Sequence, residues 1–187
     1  RQAIELADAA VALRRSVFGD DAIPTAKALL VAGAVRTQVK PPRYDEAAQA
    51  IDAAIAIARK QAPASALLVD GLQKRSTVFG DQDQLADQER VIGEAAALCD
   101  GALSAEVVCE NVWDELGSIA SRNRRSEQAL VALRRAWEAK KKRLGTDHAE
   151  TLEVAGQLAW AQAEAGDVAG GLVLAEEVHA ANQRIYT

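Results

Sequence analysis

The chain has 187 residues, with 22 Lys+Arg against 27 Asp+Glu and a formal net charge of −5 at pH 7. Hydrophobic residues make up 49% and aromatics only 4%, with 12 Gly and 4 Pro, so enough apolar surface exists to offset chain entropy, and disordered and collagen-like classes are excluded. Abundant alanine with few aromatic and β-branched residues supplies helices and starves strands, so the composition predicts an all-α chain.

Apolar residues recur at i, i+3, i+4 and i+7 along nearly the whole chain, between short polar or glycine-containing breaks. The pattern predicts nine helices: Gln2–Val17, Ile23–Val39, Tyr44–Gln61, Ser65–Val78, Gln82–Cys99, Ser104–Arg122, Ser126–Leu144, Ala149–Ala165 and Val168–Ile185. Gly19, Gly80, Gly145 and Gly166 stand where a left-handed residue would close a helix, and Pro41 and Pro42 end one helix before Tyr44 opens the next. Such short connections make neighbouring helices antiparallel hairpins. A chain that lacks Met and starts at Arg1 reads as a module cut from a longer protein.

Several function classes find no support. Apolar runs such as Ala28 to Val35 fall far short of the roughly 18 residues a membrane span needs. No phosphate loop, paired-histidine metal motif or nucleophile elbow occurs. His148 and His179 are far apart and read as surface side chains, and carboxylates are spread over every helix. No catalytic residue, cofactor site or metal site is therefore assigned. Cys99 and Cys109 lie ten residues apart without a second thiol pair; two helix-packed thiols are favoured over a disulfide, and a metal over neither. The basic run of Arg134, Arg135, Lys140, Lys141, Lys142 and Arg143 ends a helix, where cations meet orphan carbonyls. It reads as a solvated helix end rather than a nucleic-acid site.

Self-similarity is the decisive signal. Trp113, Leu116, Gly117, Ala120, Ala129, Leu133 and Ala136 carry the spacing of a tetratricopeptide repeat, and here the chain resembles that family. Shifting by 42 residues gives Leu158, Ala159, Gly171, Ala175 and Val178 for Leu116, Gly117, Ala129, Leu133 and Ala136. Upstream, Gly33 and Gly71 are aligned with the small site, and Ala47, Ile51 and Ala54 complete a first hairpin. The segment Arg143-Leu144-Gly145-Thr146-Asp147-His148 resembles the linker of kinesin light chain type repeats, and Val17-Phe18-Gly19-Asp20-Asp21 lies 126 residues earlier. Arg43 to Ala47 resembles the turn of that subtype, with Pro42 in place of glycine. Lys141 stands at the usual end-of-repeat proline, and Val78-Phe79-Gly80-Asp81 repeats the linker within a hairpin, which makes the second repeat degenerate.

The resemblance implies a right-handed superhelix of antiparallel helix hairpins, a TPR-like α-solenoid. One domain over residues 1–187 is expected, with a half repeat at 2–17 and repeats at 23–61, 65–99, 104–144 and 149–185. It also implies a protein-binding scaffold without chemistry of its own, whose first helices line a concave face. Counting from Trp113 puts Asn111, Asp114, Ser118, Ser121 and Arg122 on that face, away from their own second helix. The corresponding positions are Lys27, Leu30, Ala34 and Gln38, then Leu68, Leu72 and Arg75, then Glu153, Trp160 and Glu164. Trp160 reads either as a ligand anchor or as packed between hairpins or against Trp137, and Leu68 and Leu72 read as core before contacts. The basic and Asn pattern of a carboxylate clamp is missing.

The partner expected is a protein or peptide, from the same chain or another, with no nucleic acid and no membrane. Alanine and arginine richness resembles bacterial repeat regions that follow a serine/threonine kinase or transcription regulator, so a regulatory or sensory role is expected, with the cytoplasm favoured over the periplasm. Self-association through uncapped end hairpins is the first alternative, and an enzyme with a cryptic site the second.

Overall fold

The helical period is realised almost residue for residue. The computed structural model describes residues 2–101 and 103–186, and among the described residues it contains nine α-helices and no strand. They are α1 (Gln2–Phe18), α2 (Ile23–Gln38), α3 (Tyr44–Gln61), α4 (Ala66–Asp81), α5 (Leu85–Cys99), α6 (Val107–Arg122), α7 (Ser126–Leu144), α8 (Ala149–Glu164) and α9 (Val168–Tyr186). The expected helices agree to within a residue except near the second repeat, where α4 runs on through Asp81 and α5 starts at Leu85, and at α6, which starts at Val107 rather than Ser104.

The chain divides into two compact units, Arg1–Leu103 and Ser104–Thr187. In the first, each helix packs on the next from α1 to α5, and the first helices α2 and α4 also meet. In the second, α6 to α9 follow the same rule, with α6 against α8. An apolar stripe on each helix explains this order: Ile4, Ala7 and Val11 are the buried face of α1, while Ala47, Ile51, Ala54, Ile55 and Ala58 make α3 buried along two sides. A hairpin with two such sides needs a neighbour to cover it.

The turn inside a hairpin is repeated in atomic detail. The amides of Gln84, Arg125 and Asp167 each donate to a carbonyl five residues earlier, on Phe79, Ala120 and Gln162, at 2.9 Å in every case. The preceding residues, Asp83 (φ 57°), Arg124 (φ 55°) and Gly166 (φ 98°), are all left-handed. This is the Schellman closure of a helix. Gly80, expected to be such a closing residue, instead lies inside α4, and Asp83 takes the role. The first hairpin departs from the pattern: its longer turn carries a cis Lys40–Pro41 bond.

A left-handed L-residue other than glycine costs about 1–2 kcal/mol. Arg124→Gly is therefore expected to stabilise the chain by about 1 kcal/mol, read as a higher urea midpoint with an unchanged m-value. A lower midpoint would show that the exposed Arg124 side chain contributes more than its backbone strain removes.

Connections between hairpins also recur. Gly19 (φ 91°) and Gly145 (φ 90°) accept the same conformation, and their amides donate to Arg15 and Lys141 at 2.9 and 3.0 Å. The buried Thr25 hydroxyl donates to the Gly19 carbonyl at 2.7 Å. Thr151, in the matching place, is equally buried, but its hydroxyl has no partner. His148 caps α8 by accepting from the Glu150 amide.

Packing between paired helices fixes the register. A Cβ on Gly33 would lie 2.5 Å from Ile51 Cγ1, and one on Gly117 2.5 Å from Leu133 Cγ, so both glycines mark the closest approach within a hairpin. In the last hairpin the roles exchange: Ala159 stands on α8, and a Cβ on Gly171 of α9 would meet its carbonyl oxygen at 2.5 Å. Gly71 does not belong to this set. Its Cβ would face Ile55 and Leu30 of the preceding hairpin. The small residue of the second repeat is Ser76, fully buried, whose hydroxyl donates to the Gln88 carbonyl. A serine fits there because its hydroxyl bonds to the backbone it presses against.

Neither cysteine is a free thiol. Both are fully buried, Cys99 ending α5 and Cys109 on α6; the oxidised alternative replaces the expectation of two packed thiols.

Candidate partner-binding face

In the second unit, α6 and α8 lie side by side, and the Ser118 hydroxyl donates to Gln157 Oε1 at 2.6 Å. That bond joins two stripes in the same register: Asn111, Glu115, Ser118 and Arg122 on α6, and Glu153, Gln157, Trp160 and Glu164 on α8. Of the residues expected here, Asn111, Arg122 and Glu153 are exposed and Ser118 is half-buried against Gln157. Trp160 is 66% exposed. It does not pack on Trp137, whose ring instead lies under the Lys141 ammonium, 4.6 Å from its centroid.

Asp114 differs from expectation. Its carboxylate accepts from Lys140 Nζ of α7 at 2.9 Å, so it turns towards its own second helix, because the long lysine stem reaches around the helix to meet it. The basic stretch is correspondingly less solvated than expected. The Lys140 side chain is 5% exposed, and Arg143 grips the buried Glu110 carboxylate through Nε at 3.0 Å and Nη2 at 2.7 Å. The hydrogen bonds to Glu110 raise the Arg143 guanidinium above its ordinary range, outweighing desolvation, with the Glu110 and Glu150 charges adding to the effect. In the first unit Arg36 is raised in the same way, chiefly by its hydrogen bond to Asp8 and further by Glu46. These charges fasten helices together.

In the first unit the matching face carries Lys27, Val31, Ala34 and Gln38 on α2, with Lys27 and Val31 exposed. Leu30, expected there, is core, as are Leu68 and Leu72. The Ser76 register moves the face of α4 to Asp70, Lys74, Thr77 and Asp81, where Lys74 pairs with Asp70. Arg75 turns instead to Asp52 at 2.9 Å and stacks on Phe79 with its guanidinium 3.7 Å from the ring centre.

A second concavity lies between α7, α8 and α9, with a volume of about 300 Å³. Leu152, Ala155, Leu174, Val178 and Ala181 form its apolar lining beside Trp137, and the Arg184–Asp147 pair at 3.1 Å stands at its edge. The register accounts for the hollow: Ala155 occupies the position that Trp113 fills one repeat earlier. Ala155→Leu is expected to fill part of it and raise stability by about 1 kcal/mol, read as a higher Tm. A lower Tm would mean that no room exists for the larger side chain.

Among the described residues no group of three or more His, Cys, Asp or Glu could hold a metal ion, and no helix is long and apolar enough to cross a membrane.

No family model and no curated protein sequence matches the chain. Solved structures do. The TPR-like repeats of a kinesin light chain protein from Podosopora anserina superpose with a TM-score of 0.73, at 17% identity over 98% of this chain and 87% of that one. A variant form of the same repeats gives 0.76 at 16% identity, over 99% of this chain and 87% of that one. BtubC (BKLC) from P. vanneervenii gives 0.83 at 15% identity, over 100% of this chain and 74% of that one. Together with the recurring turns and the small-residue register, these likenesses establish the fold as that of the TPR-like helical repeats.

Proposed function

We propose that the chain is a non-catalytic scaffold that binds another protein, or another segment of its own chain, along the face that α6 and α8 share in the second unit. The observation that carries this reading is Trp160, 66% exposed on α8 in the stripe bonded to α6. A large indole left in water contributes nothing to the core, while aromatic anchors dominate protein interfaces. Asn111, Ser118, Arg122 and Glu153 are the accompanying contacts in the second unit, with Asp114 held back by Lys140, and Lys27 is the candidate contact on the face of α2 in the first unit. In its wider setting we read the module as the regulatory or sensory repeat region of a larger bacterial signalling protein, such as a serine/threonine kinase or a transcription regulator; alanine and arginine richness supports this by analogy.

Panning a displayed peptide library on the full chain tests the scaffold reading. Enriched peptides should lose at least tenfold in affinity on Trp160→Ala and keep it on Val131→Ala, an exposed position on α7. A library that yields no binder, or binders indifferent to Trp160, overturns it.

Self-association is the second reading, favoured by Leu6, Leu13 and Val17, which are 65%, 62% and 62% exposed in one stripe of α1. Light scattering should then show a dimer that Leu13→Glu dissociates; a monomer at all concentrations removes this reading.

A further inference from the structure

Gly156 is a helix-interior glycine that its packing does not require. A Cβ added there would meet nothing within 4 Å, in contrast to Gly33 and Gly117, and glycine in a helix interior is unfavourable relative to alanine. Its consequence is local: it leaves one turn of α8 bare, with Glu153 one turn before it and Trp160 one turn after, all on the same face. The Trp160 ring does not close over the gap, since none of its atoms comes within 4 Å of that Cβ position. Glu153 is exposed and makes no ion pair, and Glu164 lies one turn beyond the indole. Gln157, the remaining polar group of this turn, is engaged by Ser118.

We infer that this gap is a slot for a cationic side chain, a lysine or arginine projecting from the partner protein. The inference rests on the scaffold reading above. A cation on the bare turn of Gly156 would have an indole one turn to one side, whose face attracts cations, and a carboxylate one turn to the other. An arginine fits both, because its flat guanidinium stacks on the ring while its edge bonds to Glu153. A purely apolar side chain would use the indole and leave two carboxylates to be desolvated without compensation. The net charge of −5 favours the same class of partner through long-range attraction.

The test uses three capped heptapeptides, Gly-Ser-Gly-X-Gly-Ser-Gly, with X as arginine, norleucine or glutamate. Each is titrated at low salt into the full chain, and the indole N–H resonance of Trp160, assigned through Trp160→Phe, is followed. The arginine peptide should shift that resonance and bind at least tenfold more tightly than the norleucine peptide, while the glutamate peptide leaves it unmoved. Glu153→Gln should weaken the arginine peptide several-fold without affecting norleucine. Gly156→Leu has room for its Cβ and keeps the helix, so it should leave the circular dichroism unchanged and abolish the arginine shift. Norleucine binding as tightly as arginine, or Gly156→Leu binding like the parent, overturns the slot and leaves the scaffold standing. If none of the peptides shifts the indole while library-selected binders do so through Trp160, the slot is likewise overturned and the scaffold again stands. Library binders indifferent to Trp160 overturn both.

Discussion

Asp114→Ala is expected to cost the second unit about 3 kcal/mol or more, because it strands the Lys140 ammonium. The Lys140 side chain is 5% exposed and its other acidic neighbour, Glu150, is 3.9 Å away, too far for a hydrogen bond. Breaking a buried pair by removing one partner leaves an uncompensated charge, for which losses of about 3–5 kcal/mol are typical. The Asp114 side chain is 19% exposed, so water entering the gap will hold the loss near the lower end. Tryptophan fluorescence isolates this unit in the intact chain, since Trp113, Trp137 and Trp160 all lie within it. The fluorescence transition in urea should move to lower denaturant. At roughly 4–8 °C per kcal/mol for a unit of this size, its midpoint temperature should fall by more than about 10 °C. Removing both charges in Asp114→Leu with Lys140→Met should recover most of the loss, because the desolvation of two ions disappears with their attraction. A single mutant within about 0.5 kcal/mol of the parent would show that Lys140 finds solvent without Asp114.

This pair also shows where sequence reasoning stops. Asp114 and Lys140 are separated by 26 residues and come together only because α6 and α7 are antiparallel and the lysine stem is long. A count of helical positions from Trp113 fixes the direction in which Asp114 leaves its helix, but a long partner can approach it from the side. The helices themselves were legible, because period and breaks depend on local chemistry, and so was the small-residue site at Gly33 and Gly117. Gly71 misled because glycine marks any close approach, including that of Ile55 from the preceding hairpin, while Ser76 escaped notice because its hydroxyl is absorbed by the Gln88 carbonyl. The left-handed Asp83 and Arg124 had no signature either: neither is glycine or asparagine, and only the three-fold recurrence of one turn reveals them. The exposure of Trp160 depends on what lies opposite it, and no helical count supplies that.

Gly117→Leu should be more damaging to the repeat than its surroundings on α6 suggest. A Cβ at this position would lie 2.5 Å from Leu133 Cγ, 2.8 Å from its Cδ2 and 3.2 Å from its backbone nitrogen. Leu133 is fully buried and cannot swing away, and its main chain is pinned within α7. Relief therefore requires the two helices to separate, which opens space around Ala129 and Ala136, both fully buried on the same side of α7. Overpacking a core typically costs about 1–3 kcal/mol, and the additional loss of the Ala129 and Ala136 contacts places Gly117→Leu at or above about 3 kcal/mol. Leu133→Ala provides the control. Alone it leaves a cavity and should cost about 2–5 kcal/mol; combined with Gly117→Leu it restores the volume across the contact, and the double mutant should be more stable than the sum of the singles by at least about 1 kcal/mol. Strict additivity, measured by fluorescence in urea, would mean that the two positions do not press on each other and that the register assigned to the repeat is wrong.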